Sequence, residues 1–282
     1  MSKHIEDIGC KTGPMLIFGG CYSNFQALET LRAIAEKRHI LPENIVHTGD
    51  LIGYCASPSA CTDFVSEWGI HCIKGNVEEN ILSGADDCGC NYVEGGRCEM
   101  FSRSWFPYAK ESISAENRRF LESMPDELRF EYGGRKVAVL HGSAHYISEF
   151  VFASTPWKTK SLSFEETQAD VILAGHAGIP FASENEEKLW LNAGVIGMPA
   201  NDGTPFVWYL LLDDSSGFHY RFQRFEYDNF EANQLMMEHS LPWPYAETLM
   251  TGVWDNTEIL PETETKNTGI PLDWLLNNEV SL

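Results

Sequence analysis

The sequence predicts an α/β protein in which helices are layered on β-sheet. Two observations carry this reading. Short, β-rich apolar runs recur along the first two thirds of the chain, and segments with helical periodicity separate the early ones. With 282 residues and 43% hydrophobic content, the chain has enough apolar material for a sizeable core. We read residues 1–282 as a single domain.

The elements follow in chain order. Met15–Phe18 reads as the first strand, and Phe25–Arg38 as a helix with apolar positions at Leu28, Leu31, Ile34 and Ala35. A strand at Ile45–Thr48, a helix at about Ser59–Trp68 and a strand at His71–Lys74 continue the alternation. From about 83 to 115 the rhythm breaks into turn residues, aromatics and three cysteines, which suggests an insertion or cap over the sheet. Ala115–Met124 resumes as a helix with Ser114 as its N-cap. Strands are then expected at Lys136–Leu140, Val171–Ala174, Lys188–Leu191, Phe206–Leu212 and His219–Phe225. Little helix separates the last four, so they are expected to form an antiparallel or mixed second sheet packed on the first. A helical tail runs from about 228 to 282, its Pro-, Thr- and Asn-rich end expected to be loosely attached.

Charge narrows the partners. Twenty Lys and Arg stand against 41 Asp and Glu, a net charge of -21 that repels a nucleic-acid polymer or an anionic membrane surface. No stretch approaches the apolar length of a membrane span, and the N-terminus lacks the apolar core of a signal peptide, so a cytoplasmic location is expected. The eight cysteines all lie between residues 10 and 98, where a cytoplasmic setting keeps them mostly as thiols.

Four polar residues share one context, each following an expected strand and standing next to a glycine. They are Asp50 in "IVHTGDLIGY", Asn76 in "CIKGNVEEN", His141 in "VAVLHGSAH" and His176 in "VILAGHAGIPF". Open α/β sheets place ligands at the carboxyl ends of their strands, and an adjacent glycine lets the backbone turn and approach closely. One carboxylate, one amide and two imidazoles on one rim suit a divalent metal such as Mn²⁺, Fe²⁺ or Zn²⁺. Any one of them, taken singly, reads more simply as a turn residue or a satisfied core histidine.

These motifs, together with "NFQALETL" and "LNAGVIGMP", come in an order that resembles the calcineurin-like metallophosphoesterases, in particular the small bacterial and archaeal phosphodiesterase branch, over about residues 15–227. The resemblance implies a four-layer metallophosphoesterase-like sandwich, two packed mixed β-sheets flanked by helices, with two metals at the strand ends. The family pattern reads D-x-H, G-D, G-N-H-[DE], H-G and G-H-x-H. Aligned on it, the first Asp falls on Gly20 and its His on Tyr22, the His of G-N-H on Val77, and the last His on Gly178. All three ligands exclusive to one metal are therefore missing. The four implied for the other, Asp50, Asn76, His141 and His176, are retained.

The resemblance thus implies a metal-dependent phosphoesterase with one divalent ion per chain, acting on a small phosphorylated monoester or diester. Asp50, Asn76 and His141 would carry catalysis. Gly20, Tyr22, Asn24, Tyr54 and His145 are the expected substrate contacts. Val77 stands where the family's proton-donating histidine lies and cannot transfer a proton, which keeps open a second reading, an inactive phospho-ligand-binding or regulatory protein on the same fold. A third has the missing ligands replaced by Glu78, His145 or Cys21, or supplied by another subunit.

Two cysteine signals are weaker. Cys21 sits between a strand and a helix, but a cysteine phosphatase needs an arginine six residues on, where Ala27 stands, so a buried or loop thiol is expected. Cys88, Cys90 and Cys98 have a C-x-C spacing tighter than a zinc knuckle, which favours packing of the 83–115 segment against the site, or a local disulfide, over zinc.

Overall fold

Strand β2 (Met15–Phe18) shows how the layers are built. All four residues are buried, yet Met15 and Ile17 join one apolar cluster while Leu16 and Phe18 join another. Successive side chains on a strand point to opposite faces, so a strand buried on both faces lies in an inner layer. A computed structural model describes residues 3–90, 95–277 and 280–281, and shows two six-stranded mixed sheets that meet face to face.

The first sheet has the order β12-β11-β10-β2-β3-β4, where β3 is Ile45–His47, β4 His71–Cys72, β10 Val207–Asp213, β11 His219–Phe225 and β12 Val280–Ser281. Strands β2, β3 and β4 run parallel, β10 pairs antiparallel with β2, with Leu210 opposite Ile17, and β11 pairs antiparallel with β10. The second has the order β1-β5-β6-β7-β9-β8, with β1 at Ile5–Cys10, β5 at Glu127–Tyr132, β6 at Arg135–Leu140, β7 at Val171–Ala174, β8 at Phe181–Asn185 and β9 at Lys188–Asn192. Here β6, β7 and β9 are parallel. Met15, Ile17 and Val46 from the first sheet pack against Val137, Val139, Leu173 and Leu191 from the second, forming the inter-sheet core.

Helices cover the outer faces. Helix α1 (Phe25–Lys37) buries Leu28 and Leu31 against the first sheet and begins at Asn24, whose side chain accepts the Ala27 N–H at 3.2 Å. Helix α2 (Pro58–Trp68) starts with proline in its first turn and stops at Gly69 in the left-handed region. Beside them lie α3 (Asn76–Ser83), α4 (Arg97–Ser112), α5 (Ala115–Ser123, capped by Ser114 as expected), and the C-terminal α7 (Asn229–Glu238) and α8 (Trp243–Thr251). On the second sheet, α6 (Trp157–Thr167) packs Phe164 into a cluster with Ile172 and Trp190. No helix among the described residues is long and apolar enough to cross a membrane.

Two expectations change. The last four strands do not form one sheet: β7 and β9 join β6, whereas β10 and β11 extend the sheet begun by β2. Sequence spacing is silent on which sheet a strand enters, because antiparallel pairing with β2 and with a neighbour in chain order need the same apolar run. The 83–115 segment, expected as an insertion or cap over the sheet, contains a helix. Its helix α4 buries Phe101, Trp105, Phe106 and Ala109, and the last three share one apolar cluster with Leu28 and Val65 of α1 and α2. Residues 91–94 of that segment lie outside the described residues. The tail's end is held, not loose: Leu275 is buried in the inter-sheet cluster and Val280 pairs with Tyr220 of β11.

Strands β1, β5, β8 and β12 were also absent from the expectation. The β5–β6 hairpin does carry a turn signal, since Gly133 and Gly134 both have positive φ, as a two-residue turn of this hand requires.

Candidate metal centre

The carboxyl ends of β3, β6 and β7, together with the loop after β4, meet where the two sheets adjoin, and the four sequence-singled residues meet with them. Asp50 follows β3, Asn76 opens α3 after β4, His141 follows β6 and His176 follows β7. All four are buried. Ligand atoms of Asp50, His141 and His176 lie within 4.8 Å of one another. His141 Nε2 is 3.2 Å from Asp50 Oδ2, 3.0 Å from Asn76 Oδ1 and 3.0 Å from His176 Nδ1.

The neighbours fix which atoms face inward. His141 Nδ1 is 2.8 Å from the Thr48 carbonyl, an acceptor only, so Nδ1 carries the proton and Nε2 presents its lone pair. Asn76 Nδ2 donates to the Cys88 carbonyl at 2.7 Å and to Cys90 Sγ at 3.2 Å, which turns Oδ1 toward the centre. Four potential lone pairs from two oxygens and two nitrogens thus converge. Only a proton or a cation resolves such a knot of acceptors, and this donor set fits a divalent ion of borderline hardness.

Electrostatics agree. Burial alone would raise the Asp50 carboxyl, but the charge and hydrogen bond of His141 outweigh it and hold it below its usual value. Burial alone would lower His141, and Asp50 reverses the sign, so this imidazole is raised. Burial pushes His176 down to about 3, with His141 adding to the effect, so it is a neutral imidazole with a lone pair to offer.

Glycines and one buried glutamate hold this geometry. Asp50 and His176 have φ of 61° and 51°, a left-handed conformation costly for non-glycine residues and concentrated at functional sites. A Cβ on Gly49 would stand 2.5 Å from His141 Nδ1, and one on Gly75 would overlap Asp50 Oδ1, so the Gly-Asp and Gly-Asn pairs are matters of close approach. Glu78 accepts the backbone N–H groups of Gly75 (2.7 Å), Asp50 (3.0 Å) and Ile52 (3.0 Å), tying the Asp50 loop to the start of α3. Burial pushes its carboxyl up to about 7, with the Asp50 charge adding to the rise and the Ile52 and Gly75 donors opposing it.

A cleft of about 80 Å³ opens beside Asp50 and His176, lined by Tyr22, Tyr54, Phe150, Tyr245 and Trp254 among others. Tyr22 and Tyr54 meet edge to face at 4.7 Å, and Phe150 stacks on His176 at 4.3 Å. Two expected substrate contacts, Tyr22 and Tyr54, therefore face the cleft. The other three stand apart from it. Gly20 lies against the Tyr22 ring, where a Cβ would come within 2.3 Å of a ring carbon. Asn24 spends its amide on Gly197 O (3.2 Å) and the Tyr227 hydroxyl (3.0 Å) besides capping α1. His145 is exposed, carried outward by the loop after β6. Cys21 is a buried thiol 3.8 Å from Cys61 Sγ, away from the centre, as expected. Cys88 and Cys90 pack on Asn76, whereas Cys98 Sγ contacts Asn256.

Sequence reasoning missed Phe150, Tyr245 and Trp254. Their aromatic character gave no sign of position, because Tyr245 and Trp254 reach the cleft from beyond the last strand-end motif. The Thr48 carbonyl was equally invisible, being backbone.

The sequence model of the calcineurin-like phosphoesterase superfamily domain matches residues 24–216. The chain is 24% identical over 251 residues to an uncharacterized protein of Methanocaldococcus jannaschii, covering 84% of this chain and 97% of that protein. Among solved structures it is similar to a metallophosphoesterase of Sphaerobacter thermophilus, with a TM-score of 0.68, 21% identity and coverage of 86% of this chain and 100% of that one. It is likewise similar to a hypothetical protein of Pyrococcus horikoshii, with a TM-score of 0.71, 16% identity and coverage of 86% and 99%. At these identities the structural likeness speaks for the fold, while the sequence match extends over more than half of the 282 residues: the chain belongs to the calcineurin-like phosphoesterase superfamily.

Proposed function

We propose that this chain is a phosphoesterase that hydrolyses a small phosphate monoester or diester with one divalent cation, held by Asp50, Asn76, His141 and His176. The observation that carries the reading is the convergence of Asn76 Oδ1, His176 Nδ1 and Asp50 Oδ2 on His141 Nε2, at 3.0, 3.0 and 3.2 Å. Mn²⁺, Fe²⁺ and Zn²⁺ suit the set. When bound, such an ion supplies positive charge that polarises a phosphoryl oxygen.

One cation, not two, is favoured by what stands at the other positions. Tyr22 packs on Gly20, and the Trp254 ring lies 3.3 Å from where a Cβ on Gly178 would be, so aromatic rings cover both glycines that the family pattern aligns with metal ligands. Gly53 belongs to the same seat, since a Cβ there would come within 2.9 Å of Tyr22. The chain's own groups then divide the remaining work. His141 is held in one tautomer by Thr48, Asp50 is oriented by the Val77 N–H at 3.3 Å, and Phe150 shields His176 from water. Val77 contributes no proton, so a leaving group that departs without one is favoured.

A second reading, a phospho-ligand-binding or regulatory protein without turnover, rests on the same Val77, buried where a proton donor would be needed. A cytoplasmic location remains part of the proposal. The test is hydrolysis of bis(p-nitrophenyl) phosphate and p-nitrophenyl phosphate with added Mn²⁺, repeated on Asp50→Asn and His176→Ala. Mn²⁺-dependent turnover, reduced at least about a hundredfold in both variants, is expected. Metal binding with no turnover selects the second reading; turnover unchanged in the variants refutes the site.

A further inference from the structure

The cleft beside the metal centre is built largely by residues outside the metal-bearing strand ends. Tyr245 and Thr248 come from α8, and Trp254, Asp255, Asn256 and Ile259 from the segment after it. All six lie beyond residue 216, where the superfamily match ends.

This segment is fixed as a wall. The Trp254 backbone N–H donates to Asn201 Oδ1 and its indole Nε1–H to the Pro199 carbonyl, each at 2.8 Å. Arg97, at the start of α4, grips Asp255 with two hydrogen bonds of 2.5 and 2.7 Å, and the Arg97 N–H donates to Glu258 at 2.9 Å. A ring held at both its backbone and its indole nitrogen presents a preorganised face.

The wall's chemistry is aromatic and without cations. Tyr54 meets Tyr22 at 4.7 Å and Tyr245 at 4.8 Å, a chain of edge-to-face rings leading away from Asp50. Among the described residues lining the cleft there is no lysine or arginine, and the charge of Asp255 is already taken by Arg97. A second phosphate or carboxylate on the substrate would find no cationic partner among these lining residues. A flat apolar group would find several π-faces at a low ordering cost.

We propose that the C-terminal segment around Trp254 selects substrates whose phosphate carries a flat, uncharged aromatic substituent, seated against Trp254, Tyr245 and Tyr22. The rings that cover Gly20 and Gly178 make the place of a second cation into the place of this substituent. The inference rests on the phosphoesterase reading, because the phosphate is what the four-donor centre anchors.

Binding without turnover tests it. The Mn²⁺-loaded protein is titrated calorimetrically with phenylphosphonate, cyclohexylphosphonate and methylphosphonate, and Mn²⁺ content is measured in each sample. The phenyl compound is expected to bind about three- to tenfold more tightly than the cyclohexyl one, the range an aromatic contact supports beyond its buried area. That preference should vanish in Trp254→Leu and return in Trp254→Phe, with Mn²⁺ content unchanged throughout. Equal affinity for phenyl and cyclohexyl compounds in the unaltered protein, or a preference that survives in Trp254→Leu, overturns the inference while leaving the phosphoesterase reading intact. No binding of any phosphonate despite bound Mn²⁺ overturns both.

Discussion

Tyr22 concentrates much of the account in one residue. It has φ of 51°, donates its backbone N–H to the Asp50 carbonyl at 3.1 Å, accepts from Cys55 N–H at 2.9 Å, and packs its ring over Gly20. A side chain at position 20 and the Tyr22 ring cannot coexist as placed. Gly20→Ala is therefore expected to lower stability by about 1–3 kcal/mol, the usual range for overpacking, as read from denaturant midpoints. An unchanged midpoint would show that the ring is not wedged there. Glu78→Gln exchanges a carboxylate oxygen for an amide NH₂ facing backbone donors, which leaves a buried N–H group unpaired at a cost of about 1–3 kcal/mol. Because Glu78 orients the Asp50 loop, metal affinity in that variant should fall about 10- to 100-fold, measured by calorimetry.

His47 makes a pH prediction at the same scale. It is fully buried on β3, neither ring nitrogen has a hydrogen-bond partner among the described residues, and burial pushes it down to about 3. With an unfolded value of 6.5, the unfolded chain takes up the proton first as pH falls. Stability attributable to His47 is thus intact above about pH 6.5 and is lost toward pH 3, by up to about 1.4 kcal/mol per pH unit. His47→Leu should flatten that part of the stability–pH curve. The same acid slope in the variant would assign it elsewhere.

At the scale of elements, helices α1, α2 and α5 and strands β2, β3 and β7 were legible because their patterns are strong, whereas α3, α6 and the inner strand β5 were not expected. Phe25–Arg38 carries a full apolar stripe, and β2 and β7 are apolar on both faces, so each was placed within a residue. Strand β1 was not legible, since Ile5–Cys10 is almost wholly exposed and pairs only at the sheet edge with β5, leaving no burial pattern in its sequence. Helix α4 was hidden for a different reason. Its aromatics and charges resemble an irregular insertion until the fold supplies the α1 and α2 surfaces on which Trp105 and Phe106 pack. Trp105→Ala should cost about 3–5 kcal/mol, as for any large buried aromatic, and a loss below about 1 kcal/mol in urea unfolding would mean that α4 is peripheral after all.

For the whole molecule, the four donors were legible and the cleft was not. Asp50, Asn76, His141 and His176 each announce themselves by a glycine after a strand, a local signal that survives without knowledge of the fold. The aromatic wall depends on where α8 and the Trp254 segment return, which no short pattern records. Sheet membership of β10 and β11 failed for the same reason, being decided by pairing with β2 some two hundred residues away in sequence. The proposed centre keeps one set of ligands, with rings where a second set would be. Metal stoichiometry tests it most directly. After saturation with Mn²⁺ and gel filtration, elemental analysis should give one ion per chain in the unaltered protein and essentially none in Asp50→Asn; two ions per chain, or an ion retained by that variant, would contradict it.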